Sequence, residues 1–156
     1  MPKQETRGAT VALNRRARFE YEVLEEMEAG ISLVGSEIKS IRAGHANIAE
    51  GYARFRDGEL WLYNMNIAPY LPARENHEPT RPRRLLLHRR ELDRLEQELR
   101  EQPRATLVPL RLYLQEGLVK VELGLVRGRH AYDKRQAIAK READRSMQRA
   151  VRHAQR

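Results

Sequence analysis

Apolar and polar side chains alternate along several stretches of the chain, and each such stretch predicts a half-buried β-strand. The alternation begins at Phe19 and runs over residues 19–23. It returns over residues 106–114 and again over residues 118–126, which are separated by a short Gln-Glu-Gly segment. The last two stretches are therefore predicted as antiparallel strands joined by a tight turn.

The clearest local signal is the Asp57-Gly58 dipeptide, which lies between two alternating runs at residues 52–56 and 59–65. An Asp-Gly pair flanked in this way predicts a β-hairpin with a two-residue turn. The second arm interleaves aromatic and aliphatic residues, so we expect it to be covered on most of both faces.

Two segments have helical rather than strand periodicity. A short helix is predicted to open at Gly35 and to stop at Gly44, with Ile38 and Ile41 facing the interior. Residues 89–101 carry three leucines on one stripe among charged residues, which predicts a second helix.

The order of these elements predicts a mainly β fold. Five or six antiparallel strands, with two or three short helices and no regular βαβ repeat, favour a small β-barrel of the oligonucleotide-binding type. Solidly apolar strands, typical of parallel sheets, are missing. We expect a flexible N-terminus over residues 1–12, a barrel domain over 13–130 and a C-terminal tail over 131–156.

Residues 69–84 interrupt the regular pattern with four prolines and are expected to form a long basic loop. Arginines of this loop and of the helix after it are expected to extend a positive surface. They are Arg81, Arg83, Arg84, Arg89 and Arg90.

Charge changes this picture, because it is unevenly distributed. The 156 residues carry a net charge of +8, and residues 127–156 hold ten basic side chains against three acidic ones. A nearly neutral body with a basic arm predicts a polyanionic partner for the arm. The arm has only a thin apolar stripe, so we expect it to be disordered alone and helical on a polyanion; a permanently solvated helix is the alternative.

Composition also excludes several classes of protein. The absence of cysteine excludes disulfides, thiolate catalysis and cysteine-based zinc sites, and it fits a reducing cytoplasm. No apolar run approaches the roughly 20 residues of a membrane span, and the N-terminus is not a signal peptide. Scattered histidines and missing nucleotide-binding or metalloprotease motifs predict a protein that is not an enzyme and needs no metal or cofactor.

The strongest candidate for chemistry is the basic cluster of Arg15, Arg16 and Arg18, which can clamp phosphates near the entrance of the barrel. Tyr21 offers a ring that either stacks on a base or packs in the core. Lys39 and other basic residues would extend an RNA-binding surface that reads shape and backbone.

Six blocks in order along the chain resemble the SmpB family, bacterial proteins that bind transfer-messenger RNA in trans-translation. The resemblance covers roughly residues 10–156. The blocks are Asn-Arg-Arg-Ala-Arg at 14–18, Glu-Ala-Gly at 28–30, Gly-Ser-Glu-Ile-Lys-Ser-Ile-Arg-Ala-Gly at 35–44, Leu-Leu-Leu-His-Arg-Arg-Glu at 85–91, Val-Glu-Leu-Gly at 121–124 and Tyr-Asp-Lys-Arg at 132–135.

The resemblance implies a barrel that grips the transfer-RNA-like domain of that RNA and carries it into the empty decoding site of a stalled ribosome. The tail would lie in the vacant messenger channel, and the nascent peptide would be tagged. The implied partners are transfer-messenger RNA, the ribosome with its small-subunit rRNA at the decoding centre and, through the charged RNA, elongation factor Tu. No membrane or small-molecule substrate is implied.

The resemblance also assigns residues. RNA binding is expected of Asn14, Arg15, Arg16, Arg18, Tyr21, Glu28, Lys39 and Arg42. Ribosome sensing is expected of Tyr132, Asp133, Lys134 and Arg135. The chain departs from the family at Phe19, where histidine is common, and at Tyr132, where some members have histidine.

One further class of protein fits the same pattern. A structural ribosomal protein could be held by a basic tail threaded into rRNA. It would remain on ribosomes at one copy each through a high-salt wash, which an adaptor would not do.

Overall fold

A computed structural model describes residues 8–128 and 140–149. Its strands are β1 (Ala9–Leu13), β2 (Tyr21–Ile31), β3 (Ala46–Asn47), β4 (Tyr52–Arg56), β5 (Glu59–Tyr63), β6 (Asn66–Ile67), β7 (Arg83–Leu86), β8 (Ala105–Gln115) and β9 (Leu118–Gly128). Its helices are α1 (Arg15–Glu20), α2 (Gly35–Arg42) and α3 (Arg89–Glu101), and residues 140–149 are also helical.

Six strands close into a ring in the order β8-β4-β5-β7-β2-β9, because β9 pairs with both β2 and β8. All pairings are antiparallel, and β1 joins the edge of β8 beyond its contact with β4. β3 and β6 form a separate two-stranded sheet. The antiparallel barrel predicted from the alternating pattern is confirmed.

Both predicted tight turns are present. Asp57 and Gly58 have φ angles of 52° and 77°, and Glu116 and Gly117 have φ angles of 51° and 78°. Positive φ at both central residues is the type I′ geometry, whose twist matches that of the two strands it joins. The turns therefore set the register of β4 with β5 and of β8 with β9.

The interior of the ring is filled by one face of each strand. Leu60, Leu62, Leu107 and Leu112 are all completely buried in this core. The leucine stripe of α3 joins the same core, and Leu95 there is also fully buried. The predicted helix at residues 89–101 thus covers the barrel with its apolar side.

Several expectations are corrected. Phe19 lies in α1 rather than in a strand, because a side-chain cap starts a helix at Arg15. Residues 9–12, expected to be a flexible lead-in, belong to β1 and pair with β8. The aromatic face of β5 is half-exposed instead of covered, since only Leu60 and Leu62 of that strand point into the ring. Arg83 is fully buried and adds nothing to a positive surface.

Candidate nucleic-acid interface

Asn14 starts α1 and fastens it to the barrel. Its side-chain oxygen accepts a hydrogen bond from the Ala17 amide at 3.1 Å, which is the bond of a helix N-cap. Its amide nitrogen donates to the carbonyl oxygen of Pro109 on β8 at 2.9 Å. Asn14 is only 3% exposed, so its polar atoms are used inside the protein.

The three arginines of α1 are exposed, and they differ in their partners. Arg16 donates to Glu20 at 2.8 Å and to Glu50 at 2.7 Å. The hydrogen bond and charge of Glu20, followed by the charge of Glu50, raise the pKa of Arg16 above its ordinary value. Arg15 has no hydrogen bond or ion pair with any of the described residues.

Tyr21 is half-buried at the start of β2, where it packs against the small apolar cluster that holds α1 on the barrel. Its other side borders an open cleft of about 340 Å³ that also includes Arg16, Glu50 and Tyr52. The core-packing interpretation therefore describes one side of this ring, and contact with a nucleotide stays a prediction for the other.

Glu28 lies further along β2 and belongs to an ordered polar network. The hydroxyl of Tyr113 on β8 donates a hydrogen bond to the Glu28 carboxylate. The ammonium of Lys120 on β9 is 3.9 Å from the same carboxylate. The guanidinium of Arg111 lies over the Tyr113 ring at 4.2 Å, which is a cation–π contact.

A second carboxylate connects this network to α1. Glu122 is 3.3 Å from the guanidinium of Arg18 and 3.5 Å from that of Arg111. Arg18 also pairs with Glu26 at 3.0 Å. Because Glu122 lies two residues from Lys120 on β9, the two side chains share one face of the strand.

The charged and polar residues described above form the strip, which consists of Arg18, Glu28, Arg111, Tyr113, Lys120 and Glu122. The cations of α2 lie beyond its Lys120 end. Arg42 donates to the carbonyl oxygen of Gly117 in the β8–β9 turn at 3.4 Å. Lys39 is exposed, and its ammonium is 5.8 Å from the centre of the Tyr70 ring. Arg18, Glu28 and Arg42 therefore follow one side of the barrel along β9, whereas Lys39 lies against Tyr70 of the proline-rich loop.

Glu37 anchors α2 from within. Its carboxylate is completely buried and accepts hydrogen bonds from Arg81 at 3.0 Å and from Arg83 at 2.6 Å. It also accepts one from the Val34 amide at 2.9 Å. Burial alone would raise the pKa of Glu37, but these bonds outweigh burial and the pKa is lowered from its ordinary value.

Arg83 completes the anchor. It also donates to the carbonyl oxygen of Met65 at 2.6 Å and to that of Pro79 at 3.0 Å. Burial lowers the pKa of Arg83, although the bond and charge of Glu37 oppose the change. Two arginines that were expected at the surface, Arg81 and Arg83, instead tie the proline-rich loop to α2.

The sequence did not single out four members of the strip, namely Arg111, Tyr113, Lys120 and Glu122. The signal was available in the alternation of β8 and β9, which puts these residues on the face opposite the leucines and valines. Their pairing needs the register, in which Arg111 faces Glu122 and Tyr113 faces Lys120.

Phe19, the departure from the family pattern, is half-buried on α1. The guanidinium of Arg141, from the helical residues 140–149, lies 5.0 Å from the centre of its ring. The predicted ribosome-sensing residues Tyr132, Asp133, Lys134 and Arg135 lie outside the described residues.

Three other features are absent from residues 8–128 and 140–149. No three acidic or histidine side chains cluster so as to hold a metal ion. No buried side-chain nitrogen or oxygen in these ranges lacks a hydrogen-bond partner. No helix within them is long and apolar enough to cross a membrane.

Known proteins resemble this chain over most of its length. Residues 11–153 match the family model described as SmpB protein. An SsrA-binding protein of Synechococcus sp. (strain JA-3-3Ab) is 57% identical over 144 residues, which cover 91% of this chain and 93% of the relative. An SsrA-binding protein of Roseiflexus sp. (strain RS-1) is 58% identical over 143 residues, covering 90% of each chain.

A solved structure agrees with these matches. It is described as "tmRNA-SmpB: a journey to the center of the bacterial ribosome", and one of its chains is 50% identical to this one. The two chains superpose with a TM-score of 0.66, over 81% of this chain and 92% of the other.

Proposed function

The chain belongs to the SmpB family, and from that membership we propose that it is an RNA-binding adaptor of trans-translation. It binds transfer-messenger RNA and delivers it to stalled ribosomes, where the nascent peptide is tagged and the ribosome is rescued. Its partners are this RNA, the ribosome with the small-subunit rRNA of the decoding centre and, through the charged RNA, elongation factor Tu. Such a protein works in the cytoplasm.

The observation that carries the RNA-binding part is the arrangement of α1. A buried cap and a small apolar cluster hold the helix rigidly, so its arginines are presented without a flexible loop. Guanidinium groups form paired hydrogen bonds with phosphate oxygens. Arg15, Arg16 and Arg18 are proposed to contact the backbone of the transfer-RNA-like domain, while Asn14 acts as a positioning residue.

The ion pairs of this surface do not prevent such contacts. The side chains of Arg16 and Arg18 are 58% and 50% exposed, and exposed pairs contribute only about 0–1 kcal/mol. A phosphate can therefore replace a carboxylate partner at little cost. Glu28, held by Tyr113, would accept a hydrogen bond from a ribose hydroxyl or from a base. It would not contact a phosphate, because a backbone phosphate has no hydrogen to donate.

The remaining predicted residues extend the interface at its two ends. Tyr21 faces the cleft beside α1 and would contact a nucleotide there. Lys39 and Arg42 would contact the backbone at the far end of the strip, beside the β8–β9 turn.

RNA binding and ribosome sensing are assigned to different parts of the chain. Residues 9–130, which include β1, form the RNA-binding body, and residues 131–156 form the basic tail that enters the messenger channel of the ribosome. Tyr132, Asp133, Lys134 and Arg135 would act at the decoding centre. The role is that of a non-catalytic adaptor, which needs no cofactor.

Binding to RNA is tested with the full-length protein and a transcript of the transfer-RNA-like domain. The affinity should fall steeply between about 50 and 200 mM salt, because each phosphate contact releases counterions. Binding that ignores salt, or that is equally tight for duplex DNA, contradicts the proposal.

Deletion of residues 131–156 tests whether RNA binding and ribosome sensing belong to different parts of the chain. The truncated protein should keep its affinity for the transcript and lose peptide tagging on ribosomes stalled at the end of a message without a stop codon. Loss of RNA affinity on truncation would show that the tail belongs to the RNA-binding part.

A further inference from the structure

The start of α2 and the loop between β6 and β7 bring a serine and a histidine together. The Oγ atom of Ser36 lies 2.8 Å from Nδ1 of His77, although 41 positions separate the two residues in the chain. The other ring nitrogen of His77, Nε2, lies 2.8 Å from the carbonyl oxygen of Ile67. The proposed RNA interface includes neither side chain.

The partner of Nε2 determines which ring nitrogen of the neutral imidazole carries the proton. The Ile67 carbonyl oxygen can only accept, so Nε2 donates to it and Nδ1 is left with a lone pair. Nδ1 therefore accepts a hydrogen bond that the hydroxyl of Ser36 donates. A serine hydroxyl whose proton points at a histidine lone pair is arranged for deprotonation by that histidine.

Contacts outside the pair hold both partners in place. His77 is only 9% exposed. Its neighbour Asn76 closes the loop, since it accepts a hydrogen bond from the Tyr70 amide at 2.7 Å and donates one to the Tyr70 carbonyl oxygen at 3.0 Å. Ser36 directly precedes Glu37, the buried anchor of α2. Such support fixes a nucleophile and its base in one geometry before a substrate binds.

The pair borders an open cleft of about 530 Å³, which is large enough for a small substrate. Gly35 and Ser36, which also line the cleft, are the first two residues of α2. Neither of their amides donates a hydrogen bond to any of the described residues. Free amides at the start of a helix can stabilise the negative oxygen that forms when a carbonyl carbon is attacked.

We propose that Ser36 is a nucleophile for carboxylic esters and that His77 is its general base. The Oγ atom of Ser36 forms a bond to the carbonyl carbon of the ester, and Nδ1 of His77 takes the hydroxyl proton. The bond from that carbon to the leaving oxygen then breaks, and the proton passes from Nδ1 to the leaving alcohol. Water, deprotonated by the same nitrogen, releases the carboxylic acid and restores Ser36.

The charges around the cleft favour some esters over others. Its cation, Arg81, already pairs with the carboxylate of Glu37. Glu75, an exposed carboxylate, also lines the cleft and would repel an anion. Small neutral or cationic esters therefore fit this cleft better than anionic ones.

Turnover is expected to be slow, because a backbone carbonyl orients His77. Serine hydrolases commonly use a carboxylate at this position. The Ile67 carbonyl fixes the same kind of tautomer, but it carries no full negative charge to stabilise the imidazolium that forms. Acylation of Ser36 should therefore be easier to detect than repeated turnover.

The test uses the full-length protein and p-nitrophenyl acetate, a small neutral ester with a coloured leaving group. Release of nitrophenolate is recorded after mixing. In parallel, the protein is treated with an alkyl fluorophosphonate, which labels activated serines, and the label is located by peptide mass spectrometry. The test variants are Ser36→Ala and His77→Gln. The matched controls are Ser32→Ala and His45→Gln, which replace an exposed serine and an exposed histidine.

We expect a burst of about one nitrophenolate per protein molecule and fluorophosphonate label on Ser36. Ser36→Ala should lose both the burst and the label. His77→Gln should slow acylation by about a hundredfold, because a positioned general base contributes at least about that factor. Both control variants should keep the burst and its rate.

Three results would overturn this activity: a burst that persists in Ser36→Ala, label on other serines instead of Ser36, or neither burst nor label in the natural protein. The last result would mean that Ser36 and His77 only tie the loop to α2. Ser36→Ala leaves His77 and its bond to Ile67 in place, so the test does not depend on how well His77→Gln folds. The assay contains no RNA, and failure of the proposed RNA binding would leave its outcome unchanged.

Discussion

The hydroxyl of Tyr113 donates a hydrogen bond to the carboxylate of Glu28, although 85 positions separate the two residues in the chain. Tyr113 is fully buried beneath Arg111, whereas Glu28 is partly exposed on the outer side of β2. A buried and rigid donor thus determines where an exposed acceptor points. Glu28 is thereby held in place before any RNA arrives.

Replacing Tyr113 with phenylalanine removes only this hydroxyl. Hydrogen bonds to charged groups contribute about 1.5–3 kcal/mol when buried, and the exposure of Glu28 reduces this to about 1 kcal/mol. If Glu28 contacts RNA, affinity for the transfer-RNA-like domain should fall by about fivefold, since 1.4 kcal/mol corresponds to about tenfold. Filter binding measures this affinity.

Tyr63→Phe is the matched control for this variant, because the Tyr63 hydroxyl has no hydrogen bond with the described residues. The control should leave RNA affinity unchanged. A Tyr113→Phe protein that is less stable but binds RNA normally would mean that the bond serves the fold alone.

Asn14→Ala should destabilise the protein by about 1 kcal/mol or more, because it removes the cap of α1 and leaves the Pro109 carbonyl without its donor. RNA affinity should fall as well, since the arginines of α1 lose their fixed position. Asn14→Ser keeps a capping oxygen and should recover part of both losses. Urea unfolding and RNA titration give the two values.

The Asn14 variants also separate two roles for this residue. If Asn14→Ala loses RNA affinity with no change in the free energy of unfolding, Asn14 contacts the RNA directly and is not a positioning residue.

Arg83→Met should destabilise the protein by about 3–5 kcal/mol, as expected when one partner of a buried ion pair is removed. The change also removes the Arg83 donor to the carbonyl oxygen of Met65 and one of the two donors to that of Pro79, which keeps the Ile67 amide. The midpoint of urea unfolding measures the effect. Arg90→Met, an exposed position on α3, is the control and should change the free energy of unfolding by less than about 0.5 kcal/mol.

The lowered pKa of Glu37 predicts how stability depends on pH. A carboxyl group with a lower pKa in the folded state stabilises the protein fully above its unfolded pKa, which is near 4.5, and loses that contribution as pH falls through the folded value. The difference in free energy of unfolding between the natural protein and Glu37→Gln should therefore be largest at pH 7 and shrink below about pH 4.5. A constant difference from pH 7 to pH 3 would contradict this role.

Local signals predicted much of the fold. The Asp57-Gly58 turn, the helix between Gly35 and Gly44 and the leucine stripe of α3 all depend on residues within a few positions of one another. Phe19 shows where such signals compete. Its alternation with Tyr21 and Val23 predicted a strand, but the cap supplied by Asn14 favours a six-residue helix.

The candidate site was harder to predict, because its members come together only through pairing. The basic cluster indicated Arg18 and the resemblance to a family indicated Glu28, but nothing local linked them to Glu122 or Tyr113. Arg83 and Arg84 were expected in a basic loop, but they begin β7, where Arg83 is buried and Arg84 is exposed. In an extended strand, successive side chains point to opposite faces, so one of two adjacent residues can be buried while the other is exposed.

The sequence by itself determined that the chain alternates into strands, where the tight turns are, and that positive charge is concentrated after residue 126. These properties depend on short-range periodicity and on the numbers of basic and acidic residues in each part of the chain. Only the tertiary structure decided that the ring closes through β9, that Glu37 pairs with Arg81 of the loop and with the buried Arg83 of β7, and that Arg54, Arg56 and Arg84 have no acidic partner within the described residues. The reason is register: a shift of one residue moves every side chain of a strand to the other face, and no local pattern specifies which strands become neighbours.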